Sequence, residues 1–408
     1  MFVNVIGLGY IGLPTALMLA SHGIEVVGTD YNEDVVARLN EGHTTFKERG
    51  LDDLFHKALR AGIRFTTSYQ TTDMYIISVP TPYDTKTKQV DAHFVIASVR
   101  KVLKVCRKGT IIVIESTISP GTIDRYIRPE LERSGYRDGK DIHLVHAPER
   151  IIPGNMIYEL VHNNRTIGAD SREIGQVVKQ YYGSFCKGEI VITDIRTAEM
   201  TKVVENTFRA VNIAFANELS RICRNDNMDV YEIIRICNMH PRVNILQPGP
   251  GVGGHCIPVD PWFLVGDYPN LTHVISASMQ TNESQSHFVL QRIRVIMDSN
   301  GIKSFNKVGL YGLTYKENVD DIRESPTLQL ININHQEDKS NQFKSFDPYV
   351  AQDITENQYH DFDAFLDDID MVVIMVKHQH IQQAWNQIRD KVILDCQNIC
   401  PLDGVHHL

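Results

Sequence analysis

The stretch Gly253-Gly-His-Cys256-Ile-Pro-Val-Asp260 places a thiol in a flexible, glycine-lined loop with a carboxylate four positions further on. A thiolate is a good nucleophile toward an aldehyde, and such a loop lets a substrate carbon reach the sulfur. A lone cysteine is more often an inert buried residue, and it is the grouping of His255, Cys256 and Asp260 that singles this one out. A second constellation lies upstream, where Lys202 and Asn206 stand at i and i+4 of a helical pattern and Arg209 at i+7, so that all three project from one face. A cation and an amide aimed into a crevice stabilise a developing oxyanion, and a partly desolvated lysine can exchange a proton. For any one of the three, a solvated helix face is the commoner role.

A third pattern, Gly7-Leu-Gly-Tyr-Ile-Gly12, has the form G-x-G-x-x-G, follows a β-type run directly and opens a helical one. Glycines at Gly7, Gly9 and Gly12 allow a tight turn and the close approach of a pyrophosphate to a helix N-terminus, where unpaired N–H groups favour negative charge. Asp30 ends the next strand at the expected offset, where a carboxylate accepts hydrogen bonds from a ribose 2′-hydroxyl and repels a 2′-phosphate. NAD is favoured over NADP.

These residues must be positioned by an α/β scaffold. Apolar, β-rich runs at 3–7, 25–29, 74–79, 110–115 and 142–146 alternate with longer amphipathic stretches, which predicts a parallel sheet covered on both faces. From about residue 197 to 225, Met200, Val203, Val204, Phe208, Val211, Phe215, Leu219 and Ile222 recur at helical spacing and predict one long helix. A Gly/Pro-dense loop occupies 247–261, helical pattern resumes to about 299, and a second strand-rich block follows at 307–313, 343–346, 371–376 and 392–395 without its own glycine fingerprint. The expected architecture is two doubly wound Rossmann-like domains joined by a long central helix, with a ligand crevice between them.

Composition excludes several alternatives. A length of 408 residues exceeds one ordinary core, and 42% hydrophobic with 22% charged residues is the balance of an ordinary globular protein. A net charge of −9 argues against a nucleic-acid partner. No uninterrupted apolar run reaches the roughly 20 residues that span a bilayer, and the N-terminal segment lacks a basic n-region, so no membrane association and a cytoplasmic setting are expected. Seven cysteines without a C-x-x-C pair point neither to a disulfide framework nor to a metal site.

Further motifs complete an ordered set: Val79-Pro-Thr-Pro82, Glu115-Ser-Thr117, Pro148-Glu-Arg150, Glu199-Met-Thr-Lys-Val-Val-Glu-Asn206 and Gly312-Leu-Thr-Tyr-Lys-Glu-Asn-Val-Asp-Asp-Ile-Arg-Glu-Ser-Pro326. With the glycine turn and the Cys256 loop, they resemble the UDP-glucose/GDP-mannose dehydrogenase family across nearly the whole chain. The resemblance implies a four-electron oxidation at sugar C6 with NAD as cofactor, a UDP-sugar as partner, and a homodimer built on the central helix. It implies Cys256 as nucleophile, Lys202 as proton donor and acceptor, Asn206 as oxyanion partner and Asp260 as an aid to thioester hydrolysis. Tyr10, Ile11, Asp30, Thr81, Thr117 and Arg323 match the family's cofactor contacts. Arg150, Ile151, Lys202, Asn206, Arg209, His240, Arg242, Gly253, Tyr315 and Lys316 match its substrate contacts, with Arg242 reaching across a dimer interface. The same comparison divides the chain into an NAD-binding domain at 1–196, a dimerisation and catalytic segment at 197–300 and a UDP-sugar domain at 301–408. Pro153 and Val259 depart from the UDP-glucose enzymes, which carry Glu and Lys there, and agree with the branch acting on N-acetylhexosamines in surface-polysaccharide synthesis. A hydroxyacid dehydrogenase that moves one hydride would share the glycine turn but have no use for Cys256. A Rossmann protein that only senses nucleotides would have no need to retain Lys202, Asn206, Cys256 and Asp260 together.

Overall fold

The structure, a computed structural model, describes residues 2–84 and 86–408. Met1, with which the expected N-terminal domain opens, and Thr85 lie outside the described residues. The chain divides into two compact units, Met1–Glu205 and Asn206–Leu408.

The first unit is built on an eight-stranded sheet. Its strands are β1 (Phe2–Ile6), β2 (Glu25–Thr29), β3 (Arg64–Thr66), β4 (Met74–Ile77), β5 (Thr110–Ile114), β6 (Ile142–His146), β7 (Arg165–Ala169) and β8 (Ile190–Thr193). They lie in the order β3-β2-β1-β4-β5-β6-β7-β8, so the winding reverses between β1 and β4. Alternate residues of each strand feed opposite cores. Val3, Val5, Met74, Ile76, Ile111 and Val113 pack on one face, and Ile6, Tyr75, Ile77, Ile112 and Ile114 on the other. Two-sided burial explains why these runs read as nearly continuous apolar sequence.

The sheet is not wholly parallel as the sequence predicts: β7 pairs antiparallel with β6, through Val145 with Ala169 and His146 with Gly168. Arg165 and Gly168 break the apolar run by which the other strands are legible. Arg165 is nonetheless buried, because Glu149 supplies its counter-charge. Gly168 is required by packing, since a Cβ there would sit 2.6 Å from that of Ala198.

The second unit carries an all-parallel six-stranded sheet of β9 (Val308–Tyr311), β10 (Lys344–Phe346), β11 (Gln358–Tyr359), β12 (Met371–Ile374), β13 (Val392–Asp395) and β14 (His406–His407). Its order, β11-β10-β9-β12-β13-β14, repeats the doubly wound scheme with the reversal between β9 and β12. The expected long helix runs from Ile195 to Asn225 as one 31-residue element.

Candidate active site

The chain leaves β1 through Gly7, whose φ of +88° is a left-handed conformation that side chains disfavour. A Cβ on Gly7 would strike the Ser78 carbonyl oxygen, and one on Gly12 would overlap the Gly7 carbonyl oxygen and meet Ser78 Cβ at 3.0 Å. Gly9 differs: nothing lies within 4 Å of where its Cβ would stand, which leaves the backbone open to a pyrophosphate. Ile11 occupies the N-cap of the helix Gly12–Ser21, and the Tyr10 ring packs on Phe46 with centroids 4.4 Å apart.

Asp30 follows β2 and holds this turn from beneath. Its Oδ2 accepts the Leu8 N–H at 2.7 Å and its Oδ1 the Asn32 N–H at 2.9 Å. Each carboxylate oxygen keeps acceptor capacity for ribose hydroxyls. Thr81 donates its hydroxyl to the Thr117 carbonyl at 2.6 Å, which draws two expected cofactor contacts together beyond the ends of β4 and β5. Open backbone at Gly9, the helix start and the Asp30 carboxylate all lie at the carboxyl ends of strands beside the winding reversal, the set a dinucleotide requires.

A buried charge network that the sequence reading left unassigned supports the turn. Glu115 accepts the Ser78 hydroxyl at 2.5 Å, the Tyr182 hydroxyl at 3.0 Å and the Thr15 hydroxyl at 3.4 Å. Arg165 pairs with Glu149 and stands 3.9 Å from Glu115, so one buried guanidinium serves two carboxyls. Burial, with repulsion from Glu149, pushes Glu115 up to about 7. Ser78 is the residue on which Gly7 and Gly12 pack, and Thr15 lies in the helix they open, so Glu115 ties strand, turn and helix. Arg150, next to Glu149, donates to Glu205 Oε2 at 2.6 Å, the Asn164 carbonyl at 3.1 Å and Thr166 Oγ1 at 2.9 Å, with Ile151 buried behind it.

The long helix buries polar side chains alongside small apolar ones and leaves several large apolar ones exposed. Lys202 and Asn206 are each 6% exposed, and Glu199, Asn217 and Ser220 are fully buried, whereas Phe208 is 66%, Phe215 50% and Ile222 50% exposed. Of the apolar residues that mark the helix in the sequence, Val204, Phe208, Phe215 and Ile222 face outward, whereas Val203 is buried and Leu219 packs on a core cluster. Arg209, in the same sector as Lys202 and Asn206 by spacing, is solvent-exposed. Glu199 anchors the helix start by accepting the N–H groups of Gly121 at 2.5 Å and Ile123 at 3.0 Å, and burial pushes it up to about 7.

In the second unit, Asn206 Nδ2 donates to Asp260 Oδ2 at 2.6 Å, both side chains being buried. Asp260 opens the helix Asp260–Asp267, and its N–H returns to the Cys256 carbonyl at 2.8 Å, so thiol and carboxylate residues are joined by a single turn of backbone. Cys256 is half-buried and in no disulfide. Burial and the neighbouring Arg323 guanidinium hold the His255 imidazole below its ordinary range.

Two glycines carry the loop past an aromatic side chain: a Cβ on Gly253 would lie 2.6 Å from Tyr315 Cβ, and one on Gly254 would lie 2.8 Å from the Tyr315 ring. The Gly254 N–H bonds the Arg323 carbonyl at 3.0 Å, and the Arg323 side chain pairs with Asp321 at 2.5 Å. Gly253, Tyr315 and Arg323 are thus brought together, with Lys316 in the same turn as Tyr315. His240 and Arg242 lie on an exposed turn after the helix Val230–Cys237, where Arg242 N–H meets His240 Nδ1 at 3.3 Å, and no hydrogen bond among the described residues links them to the other expected site residues.

Three family models match in series: the NAD binding domain of the UDP-glucose/GDP-mannose dehydrogenase family over residues 1–186, its central domain over 196–284 and its UDP binding domain over 309–401. The chain belongs to the UDP-glucose/GDP-mannose dehydrogenase family. This NAD-dependent nucleotide-sugar dehydrogenase is 38% identical over 409 residues to the UDP-N-acetyl-D-mannosamine dehydrogenase of Campylobacter jejuni, covering 97% of this chain and 98% of that one. It is 37% identical over 411 residues to the NDP-N-acetyl-D-galactosaminuronic acid dehydrogenase of Ralstonia nicotianae, covering 97% and 96%. Among solved structures it is similar to the UDP-N-acetyl-mannosamine dehydrogenase of Staphylococcus aureus, with TM-score 0.90, 38% identity and 100% and 97% of the two chains covered. A UDP-D-N-acetylmannosamine dehydrogenase from Pyrococcus horikoshii gives TM-score 0.92 at 35% identity, covering 100% and 98%. No helix among the described residues of this dehydrogenase is long and apolar enough to cross a membrane.

Proposed function

We infer that this dehydrogenase oxidises the C6 alcohol of UDP-N-acetyl-D-mannosamine to the carboxylate of UDP-N-acetyl-D-mannosaminuronate. The observation that carries the reading is the buried Asn206–Asp260 bond one backbone turn from the Cys256 thiol, in a chain whose relatives act on N-acetylated nucleotide sugars. Bound NAD supplies a hydride acceptor in each of two successive oxidations. Lys202 takes the C6 hydroxyl proton as the first hydride leaves and yields an aldehyde. The Cys256 sulfur then adds to C6, and Lys202 returns the proton to the oxygen, which Asn206 stabilises during the addition. Loss of the second hydride from this thiohemiacetal, its hydroxyl proton passing again to Lys202, leaves a thioester. Asp260 orients the water that hydrolyses it, which regenerates the thiol and releases the acid. Gly7, Gly9, Tyr10, Ile11, Gly12, Asp30, Thr81, Thr117 and Arg323 hold NAD in this reading. Arg150, Ile151, Arg209, His240, Arg242, Gly253, Tyr315 and Lys316 hold the sugar nucleotide.

The three-part organisation at 1–196, 197–300 and 301–408 belongs to the same reading, as do a cytoplasmic homodimer and a role in surface-polysaccharide synthesis. Substrate choice rests on the segment after Arg150. Glu48 accepts the N–H groups of Gly154 at 2.7 Å and Met156 at 3.1 Å, and Glu159 that of Ile152 at 2.8 Å, which fixes Pro153 where the UDP-glucose enzymes carry a glutamate. Removing that carboxyl leaves room for an acetamido group. The similarity to the Ralstonia enzyme favours a second reading, in which the substrate is the galacto-configured N-acetylhexosamine.

NADH production measured against a panel of UDP-hexoses and UDP-N-acetylhexosamines tests the assignment. The highest kcat/KM is expected for UDP-N-acetylmannosamine. A maximum at UDP-glucose overturns the N-acetylhexosamine reading, and one at UDP-N-acetylgalactosamine moves the assignment to the second.

A further inference from the structure

The second sheet places a fully buried carboxylate–imidazole pair at its winding reversal. Asp347 follows β10 and His378 follows β12, and between their strands lies β9, whose exit is the 312–318 turn. His378 Nε2 stands 3.2 Å from Asp347 Oδ2, and both side chains are wholly buried. The tautomer is set by geometry. His378 Nδ1 accepts the Asn318 N–H at 2.9 Å, so the ring proton sits on Nε2 and points toward Asp347.

The pair holds the turn at both ends. Asp347 Oδ2 accepts the N–H of Leu313 at 2.6 Å and of Thr314 at 3.1 Å, and His378 takes that of Asn318. Between these anchors, the Thr314 hydroxyl donates to the Lys316 carbonyl at 2.9 Å, and the Tyr315 N–H bonds the Asp321 carbonyl at 3.0 Å. Asn318 sits at φ +58°, a conformation maintained by its own side chain, whose Oδ1 accepts the Tyr349 hydroxyl at 3.0 Å and the Gln379 N–H at 2.9 Å. The segment held in this way is the one that presents Tyr315 and Lys316. Tyr315 in turn is the surface on which Gly253 and Gly254 pack, three and two residues from Cys256.

We propose that Asp347 and His378 are positioning residues for the sugar nucleotide, which fix the 313–318 turn and, through Tyr315, the glycine approach to the Cys256 loop. Both side chains are wholly buried and so act on substrate only through the turn. A buried ionised group with several hydrogen bonds is stiff because any displacement leaves it unsatisfied. In open α/β sheets the crevice outside the strand ends at the reversal is where ligands bind, so rigidity at this point bears on ligand affinity. The inference rests on the reading that 301–408 binds the UDP-sugar, and its test separates the two.

UDP binding is measured by calorimetry on the wild-type enzyme and on His378→Ala, alongside KM for both substrates. The expected result is a UDP Kd and a sugar-nucleotide KM raised at least ten-fold in the variant, with KM for NAD unchanged within about two-fold. His378→Asn, whose amide oxygen replaces Nδ1 as the acceptor for Asn318, is expected to recover most of the lost affinity, which a general packing defect would not allow. A folded His378→Ala enzyme that binds UDP as tightly as wild type overturns the positioning role while leaving the UDP-sugar reading intact. A wild-type enzyme that does not bind UDP overturns both. Should His378→Ala fail to fold, Thr314→Val carries the same test with a Kd raised at least three-fold, and an unchanged Kd there overturns the proposal.

Discussion

The chemistry narrows to one sulfur. The second hydride can leave only from a tetrahedral carbon bearing an added nucleophile, and in the proposed mechanism Cys256, joined to Asp260 by the turn whose N–H groups return to its carbonyl, supplies it. The wild-type enzyme should therefore release about two NADH per sugar. Cys256→Ala should lose acid formation by at least a thousand-fold, and mass spectrometry of the Cys256→Ser enzyme should find a stalled aldehyde or a slowly hydrolysed ester. Uronic acid produced by Cys256→Ala at the wild-type rate rules the covalent route out. A different residue governs stability. Glu115 titrates near 7 in the folded chain against 4.5 for an exposed glutamate, because burial and Glu149 disfavour its charge. Its folded pKa is raised, so what it contributes to stability is complete below about 4.5 and is lost as pH rises through about 7. Glu115→Gln stays neutral throughout. Thermal unfolding at pH 5 and pH 8 should show a smaller pH-dependent fall in Tm for the variant, with the variant more stable by a few degrees at pH 8. Equal pH dependence in the two proteins would remove Glu115 as its source.

Elements differ in how openly they declare themselves. The glycine turn was legible because its demands are local: a left-handed φ at Gly7, no room for a Cβ at Gly12 and open backbone at Gly9 all force the same residue type into a fixed spacing. Gly12→Ala sets a methyl group against the Gly7 carbonyl oxygen and should raise KM for NAD at least ten-fold while the sugar-nucleotide KM stays within about two-fold. Kinetics in which both constants move together would mean that the substitution disturbs the unit as a whole. Strands buried on both faces were equally legible from their apolar runs. The antiparallel β7 was not, because its leading Arg165 is buried by virtue of Glu149, and a pairing between residues sixteen positions apart leaves no periodic trace. Asp347 and His378 were hidden for the same reason: each reads as an ordinary polar residue after a strand, and only the sheet order brings them together. Lys202 and Asn206 were singled out by spacing alone, and the apolar residues of the same helix gave no indication that both are buried.

At the scale of the whole molecule, that ambiguity becomes an argument about assembly. Phe208, Phe215 and Ile222 recur every seven residues along one stripe of the Ile195–Asn225 helix, and each is at least half exposed. A stripe of large apolar side chains left in water on a helix whose other side buries charge and amide groups is stabilised by association. A second copy related by a two-fold axis would cover it with the identical stripe. Sedimentation should therefore give about twice the 46.4 kDa chain mass for the wild type. A Phe208→Glu, Phe215→Glu double variant should sediment as a monomer with its fold retained. A wild-type monomer would sink the assembly. The dimer also has a chemical consequence if Arg242, on its exposed turn, serves the partner's site. Cys256→Ala and Arg242→Ala homodimers should then each be nearly inactive, yet mixing and re-associating them should restore activity. In half of the dimers formed, the subunit with an intact Cys256 faces a partner with an intact Arg242, so one site of two works and recovery should approach about a quarter of wild type. If Arg242 instead serves the site on its own chain, no mixed dimer contains a complete site, and mixing the variants recovers nothing.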